Sequence, residues 1–165
     1  MKLYTKSSSS TGFTMVELLI VIAIIGILVS ALVLVINPIS QIQKANDAKR
    51  KSDLSQIQKA LEQYYNDNNK YPLNTAGYQI QGAAWGSTWG TYIQVLPQDP
   101  SSSKKYVYFT NAAQQSYWLY SSLDNAKDPQ LCNAGNACAN ATANGLGVVC
   151  GGTCNYGVTS SNTTP

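Results

Sequence analysis

The chain has 165 residues, 12% charged and 44% hydrophobic, with 11 basic and 8 acidic side chains and no histidine. The missing imidazole removes the commonest general base and metal ligand, no glycine-rich phosphate loop is present, and no Ser or Cys sits in a nucleophile motif. Two of the lysines, Lys2 and Lys6, stand in the opening stretch; beyond it nine basic side chains meet eight acidic ones, too even a balance to expect a specific nucleic-acid partner.

The opening stretch, MKLYTKSSSSTG, is polar and carries no acid. It leads directly into GFTMVELLIVIAIIGILV, from Gly12 to Val29, and the uncharged run from Leu18 to Ile36 is nineteen residues long. As a helix that run would be roughly 28 Å long, close to the thickness of a hydrocarbon core. Glu17 stands at its mouth. A carboxylate deep in lipid costs roughly a few kcal/mol, so it usually has a partner or a task, although the first turn of a helix favours it. One reading is an interfacial glutamate that merely tolerates its place. Another is a secretory signal with Val29-Ser30-Ala31 as the cleavage site. Two facts count against the signal: the apolar run passes Ala31, and Glu17 would sit at the threshold of the signal core.

From Gln41 to about Asn66 there is no glycine or proline. Leu54, Ile57, Leu61 and Tyr64 recur at steps of three, four and three and are joined by Ala60, which predicts an apolar stripe on one helix face. Lys49, Arg50, Lys51 and Asp53 precede it. The simplest expectation is one helix over 13–66, roughly 80 Å long. Its first part, about 14–36, would be membrane-spanning; its second part, 37–66, would be amphipathic. Pro38 should kink or loosen it, and Gly26 adds a point of flexibility or close packing.

Residues 67–165 read as a globular head. Asp67 to Tyr71 ends the helix, Pro72 fixes the exit, and Tyr78 to Gly90 reads as a loop. Tyr92 to Leu96 is a plausible short strand. Tyr106-Val107-Tyr108-Phe109 and Tyr117-Trp118-Leu119-Tyr120 are strand candidates joined by a turn at Asn111 to Gln115. Paired antiparallel, they would cover the helix stripe. The expected fold class is α+β: a long N-terminal helix packed on a small antiparallel sheet, a lollipop with a Cys-closed carboxy end. The tail from Ser160 to Pro165 is expected to be mobile.

Cys132, Cys138, Cys150 and Cys154 all fall beyond residue 130. Their even number reads as two disulfides, with three connectivities open and a Cys-only zinc site as the alternative. The surrounding Ala-, Asn- and Gly-rich sequence offers few large side chains to bury, so covalent closure, at roughly 2–4 kcal/mol per bridge, has a structural reason. The tryptophans of the Trp85–Trp89 loop could stack on a ligand, but core and subunit contacts are the simpler reading.

The stretch G-F-T-M-V-E-L-L-I-V-I-A-I-I-G-I-L resembles the processing site of type IV prepilins and the related type II secretion pseudopilins. The resemblance implies a leader of residues 1–12 cut after Gly12 by a prepilin peptidase, N-methylation of Phe13, and a role for Glu17 in filament assembly. K-Y-P at Lys70 to Pro72, L-P-Q-D-P at Leu96 to Pro100, Y-V-Y at Tyr106 to Tyr108 and Y-S-S-L-D-N from Tyr120 to Asn125 follow in an order similar to that family's. The cysteine-bearing end has no counterpart in this likeness. Pseudopilins hold calcium in a loop after the last strand, which makes Asp124 and Asp128 its possible ligands here. The loop S-L-D-N-A-K-D-P lacks the glycine-rich continuation, however, and two carboxylates do not make a calcium site alone. No other cofactor is expected.

The resemblance implies a structural role without enzymatic activity. The chain would be a single-pass membrane protein in lipid with an extracytoplasmic head. It would then join other pilin subunits as a homopolymer, drawn in by an assembly platform and its ATPase. The alternative is a membrane-tethered binding module for glycan, DNA or protein that never polymerises.

Overall fold

The computed structural model describes residues 12–165, with the backbone alone at 33–36. The expected leader, Gly12 excepted, lies outside the described residues. Two compact units divide at Ile39 and Ser40.

In the first unit, α1 spans Met15–Ile36. It starts there because Thr14 and Glu17 form a capping box, satisfying backbone donors that a first turn leaves orphaned. Its apolar side chains are exposed within the unit; Val16, Ile20 and Ile27 are examples. The helix is long and apolar enough to cross a membrane.

The expected continuous helix is broken into two. Asn37 takes a left-handed conformation at φ 42° and caps α1, and α2 then spans Pro38–Asn68. Proline lacks the N–H that would bond back into the preceding turn and is well tolerated as a first helical residue. Pro38 thus opens a new helix where the sequence predicts a kink within one. Asn69, also left-handed, ends α2.

The second unit packs the buried face of α2 on a three-stranded antiparallel sheet. Strands β1 (Val107–Thr110), β2 (Tyr117–Ser121) and β3 (Tyr156–Thr159) lie in the order β1-β2-β3. The predicted hairpin pairs Val107 with Tyr120 and Thr110 with Tyr117. Its turn is fixed by the Asn111 side chain, which accepts hydrogen bonds from the backbone of Gln115 and Ser116. Leu54, Ile57, Ala60 and Leu61 meet Tyr106, Tyr108, Tyr117 and Leu119 in one core, the contact that the stripe foretold.

Two expectations are corrected. Tyr92 to Leu96 forms no strand: Ile93 makes only an isolated bridge to Trp89, inside its own loop. The third strand comes from the Cys-rich end, where none was expected. In the tail, Ser160 is buried and the Thr164 carbonyl accepts from Trp118 Nε1 and Asn140 Nδ2.

Candidate assembly site and the charged cluster of the head

At the start of α1, Glu17 Oε2 accepts from Thr14 N at 2.8 Å and from Thr14 Oγ1 at 2.7 Å, while Glu17 N donates to Thr14 Oγ1 at 3.2 Å. All the carboxylate's bonds in this cap use Oε2. Gly12 and Phe13 precede the helix, and Phe13 is exposed. Gly26 lies within α1, with open space where a side chain would be. Gly12, Phe13 and Glu17 therefore stand together at the start of one exposed apolar helix.

The head holds a second constellation that sequence reasoning missed. Arg50 lies on the buried face of α2 and is fully buried. Its Nε donates to Asp99 Oδ2 at 2.9 Å and its Nη2 to Asp99 Oδ1 at 3.1 Å. Nη1 donates to both Asp47 Oδ1 and Asp124 Oδ2, each at 2.7 Å. Burial alone would lower the Arg50 pKa, but the bonds and fields of Asp99, Asp124 and Asp47 raise it above its ordinary value. Asp47 in turn accepts from the backbone N–H groups of Asp124 and Asn125. Next to it, Asp53 accepts from the Tyr106 hydroxyl at 2.7 Å. One guanidinium thus ties α2 to the Asp99 loop and to the loop after β2.

The signal for this cluster lay in phase. Asp47, Arg50 and Asp53 sit three apart and run directly into Leu54 and Ile57, on the same face as the apolar stripe. Charges in that phase are either an error or a network.

The two possible calcium ligands, Asp124 and Asp128, are engaged by cations of the chain itself. Asp124 Oδ1 accepts from Lys104 Nζ at 2.5 Å, and both Asp128 oxygens accept from Lys51 Nζ at 2.7 Å. Partial burial would raise the Asp124 pKa, yet Lys104 and Arg50 hold it below the usual carboxylate range. Asp128 is likewise lowered, against its desolvation, by Lys51 and the Gln130 backbone. Among the described residues no group of three His, Cys, Asp or Glu could hold a metal ion.

The cysteines pair in sequence order, Cys132 with Cys138 and Cys150 with Cys154, which removes the zinc alternative. Of the aromatics, Trp89 is buried in the core and stacks on Tyr64, and Trp85 makes a T-shaped contact with Tyr106. The Trp85–Trp89 loop is thus built mainly inward.

An exposed apolar helix with a capped carboxylate at its start, followed by a helix-on-sheet head, defines a pilin-like structural subunit. The family model described as "Type II secretion system (T2SS), protein G" matches residues 37–133, and the "Prokaryotic N-terminal methylation motif" matches residues 7–33. The chain belongs to the type II secretion system protein G family, whose members are structural filament subunits and not enzymes.

The chain is 37% identical over 99 residues to the type II secretion system core protein G of Klebsiella pneumoniae, covering 56% of this chain and 69% of that relative. It is 37% identical over 97 residues to its Aeromonas hydrophila counterpart, covering 54% and 66%. The "Type IV wide pilus major component PilA4" of Thermus thermophilus is 46% identical over 68 residues, 41% of this chain and 50% of that protein. No solved structure matches significantly. The family match ends at residue 133, so Cys138, Cys150, Cys154 and β3 lie beyond it.

Proposed function

We propose that this chain is a subunit of a pilus-like secretion filament, cut after Gly12 by a prepilin peptidase, N-methylated at Phe13 and polymerised through its N-terminal helix. Before assembly it is held in the membrane by α1 with its head on the extracytoplasmic side. A separate assembly platform and its ATPase draw it into a cell-envelope filament, and Gly26 and Pro38 give the helical segment its points of adjustment.

The observation that carries this reading is the Thr14–Glu17 cap at the mouth of an exposed apolar helix. Cleavage after Gly12 would leave a charged amine on Phe13. Neither that amine nor the Glu17 carboxylate is cheap to bury alone, and a pair between neighbouring subunits makes both tolerable. Because the cap uses Oε2, Oε1 is the oxygen that meets the neighbour's amine, and the pair sets the register between subunits.

The test is the intact mass and amino-terminal sequence of the chain taken from membranes or sheared filaments, with Glu17→Gln beside the wild type. The expected result is a chain beginning at N-methylated Phe13, with Glu17→Gln processed but absent from filaments. A chain beginning at Leu32, or one retaining Met1, overturns the proposal. So does a Glu17→Gln variant that still polymerises.

A further inference from the structure

The pseudopilin resemblance implies a calcium ion in the loop after β2, and the residues present there do not fit one. Calcium is held by six to eight oxygens, mainly carboxylates and carbonyls. Here the carboxylate oxygens of Asp124 and Asp128 and the Ser122 carbonyl already accept from cationic side chains. Lys104 Nζ donates to Asp124 Oδ1 and, at 3.0 Å, to the Ser122 carbonyl, one carboxylate and one backbone oxygen of the kind calcium takes. Arg50 occupies the other Asp124 oxygen, and Lys51 occupies both oxygens of Asp128. The Asp124 and Asn125 N–H groups are bound to Asp47.

We propose that Lys104, with Arg50 and Lys51, takes the place of a loop-bound divalent cation, so that the head folds and holds its shape without calcium. The inference concerns the head alone and does not depend on processing or polymerisation.

The position of Lys104 is built, and the Cys-rich end builds it. Ser101 N donates to Asp99 Oδ1 and Lys104 N to the Ser101 carbonyl, which turns residues 101–104 beside the cluster. Lys105 N then donates to the Cys150 carbonyl. The Cys150–Cys154 loop lies directly against this turn. A Cβ on Gly151, at φ +77°, would fall 2.1 Å from the Ser103 carbonyl oxygen, and one on Gly152 would fall 2.7 Å from Ser122 Oγ. Gly151 in particular lets the cystine loop approach the backbone of the turn that delivers Lys104. These glycines lie outside the family match, so a segment beyond it helps to seat the ammonium group. The ammonium is covalently present at any ambient calcium concentration.

The experiment is thermal unfolding of the full-length chain in detergent, followed by near-ultraviolet circular dichroism, in millimolar calcium chloride and in excess EDTA. Calorimetric titration with calcium chloride accompanies it. The expected result is superimposable melts and no saturable calcium heat for the wild type. Lys104→Met should lower the Tm equally in both buffers, Lys104→Arg should recover most of the loss, and Lys105→Met should leave the Tm in place. Should Lys104→Met fail to fold, the wild-type comparison and Lys104→Arg still decide. A wild-type Tm raised by calcium, stoichiometric calcium binding, or a Lys104→Met melt identical to wild type would overturn the proposal.

Discussion

Replacing Arg50 with methionine keeps most of the side-chain stem and removes the guanidinium, leaving three carboxylates around an uncharged group. The consequences differ among them. Asp99, whose side chain is fully buried, loses two bonds and keeps one, from Ser101 N. Asp47 keeps its two backbone donors, and Asp124 keeps Lys104. Removing one partner of a buried ion pair costs about 3–5 kcal/mol, and the surviving donors place this case near the lower end, at about 3 kcal/mol. For a head the size of Ser40–Pro165 that loss corresponds to a fall in Tm of about 10 °C. The assay is a near-ultraviolet dichroism melt of the full chain in detergent, which reports the aromatic core of the head. Asp99→Leu, alone and combined with Arg50→Met, completes a double-mutant cycle. The double variant should be more stable than the sum of the singles by at least about 1 kcal/mol, because it removes the orphaned charge. A fall of less than about 2 °C for Arg50→Met, or strict additivity in the cycle, would refute the claim that this guanidinium ties the head together.

Other measurements test separate parts of the structure. The pKa values of Asp124 and Asp128 are lowered by folding, so their contribution is present above the unfolded carboxyl value of about 3.9 and is lost as pH falls through the depressed folded values; the Tm should drop over that acid range and Lys104→Met should flatten the drop. Tyr71, Tyr106, Tyr108, Tyr117 and Tyr120 are raised, chiefly by burial, so stability should be full below about pH 10 and lost above it; tyrosinate absorbance should appear together with unfolding, and ionisation without loss of dichroism would refute this. A Cβ on Gly157 would lie 2.6 Å from Tyr120 Cδ1, so Gly157→Val should lower the Tm and speed proteolysis of the carboxy end, whereas an unchanged melt would show that β3 does not pack as described.

What the sequence disclosed follows from how much of each element's pattern is local. The α2 stripe was legible because Leu54, Ile57 and Leu61 repeat at helical spacing, and the β1–β2 hairpin because aromatic and β-branched residues crowd two short runs. Tyr92 to Leu96 has the same propensity but no partner strand, and its residues close a loop of their own. Strand β3 was hidden for the opposite reason. Its Tyr-Gly-Val-Thr is short, and Gly157, a poor strand former, is required there by the Tyr120 ring across the pair. The charged cluster was hidden because Arg50 finds Asp99 and Asp124 at separations of 49 and 74 residues. Only its phase with the stripe was visible, and phase alone does not reveal a partner.

The cap and the cluster answer different demands, and this makes a final prediction. The cap's bonds run between Thr14 and Glu17, three residues apart, at the start of an apolar helix whose side chains need lipid or other helices to cover them. The cluster's bonds run among residues of Ser40–Pro165, and they close loops that the sheet and helix alone would leave free. A substitution in one set should therefore leave the other's readout unmoved. Glu17→Gln should melt like the wild type in detergent while failing to enter filaments. Lys51→Met, which frees Asp128 at the margin of the cluster, should lower the Tm of the head while the chain is still processed after Gly12. The two measurements can be made on the same membrane preparations. A Glu17→Gln head with a clearly lowered Tm would mean that the amino-terminal carboxylate helps to hold the fold itself, and its loss from filaments would then say nothing about subunit pairing.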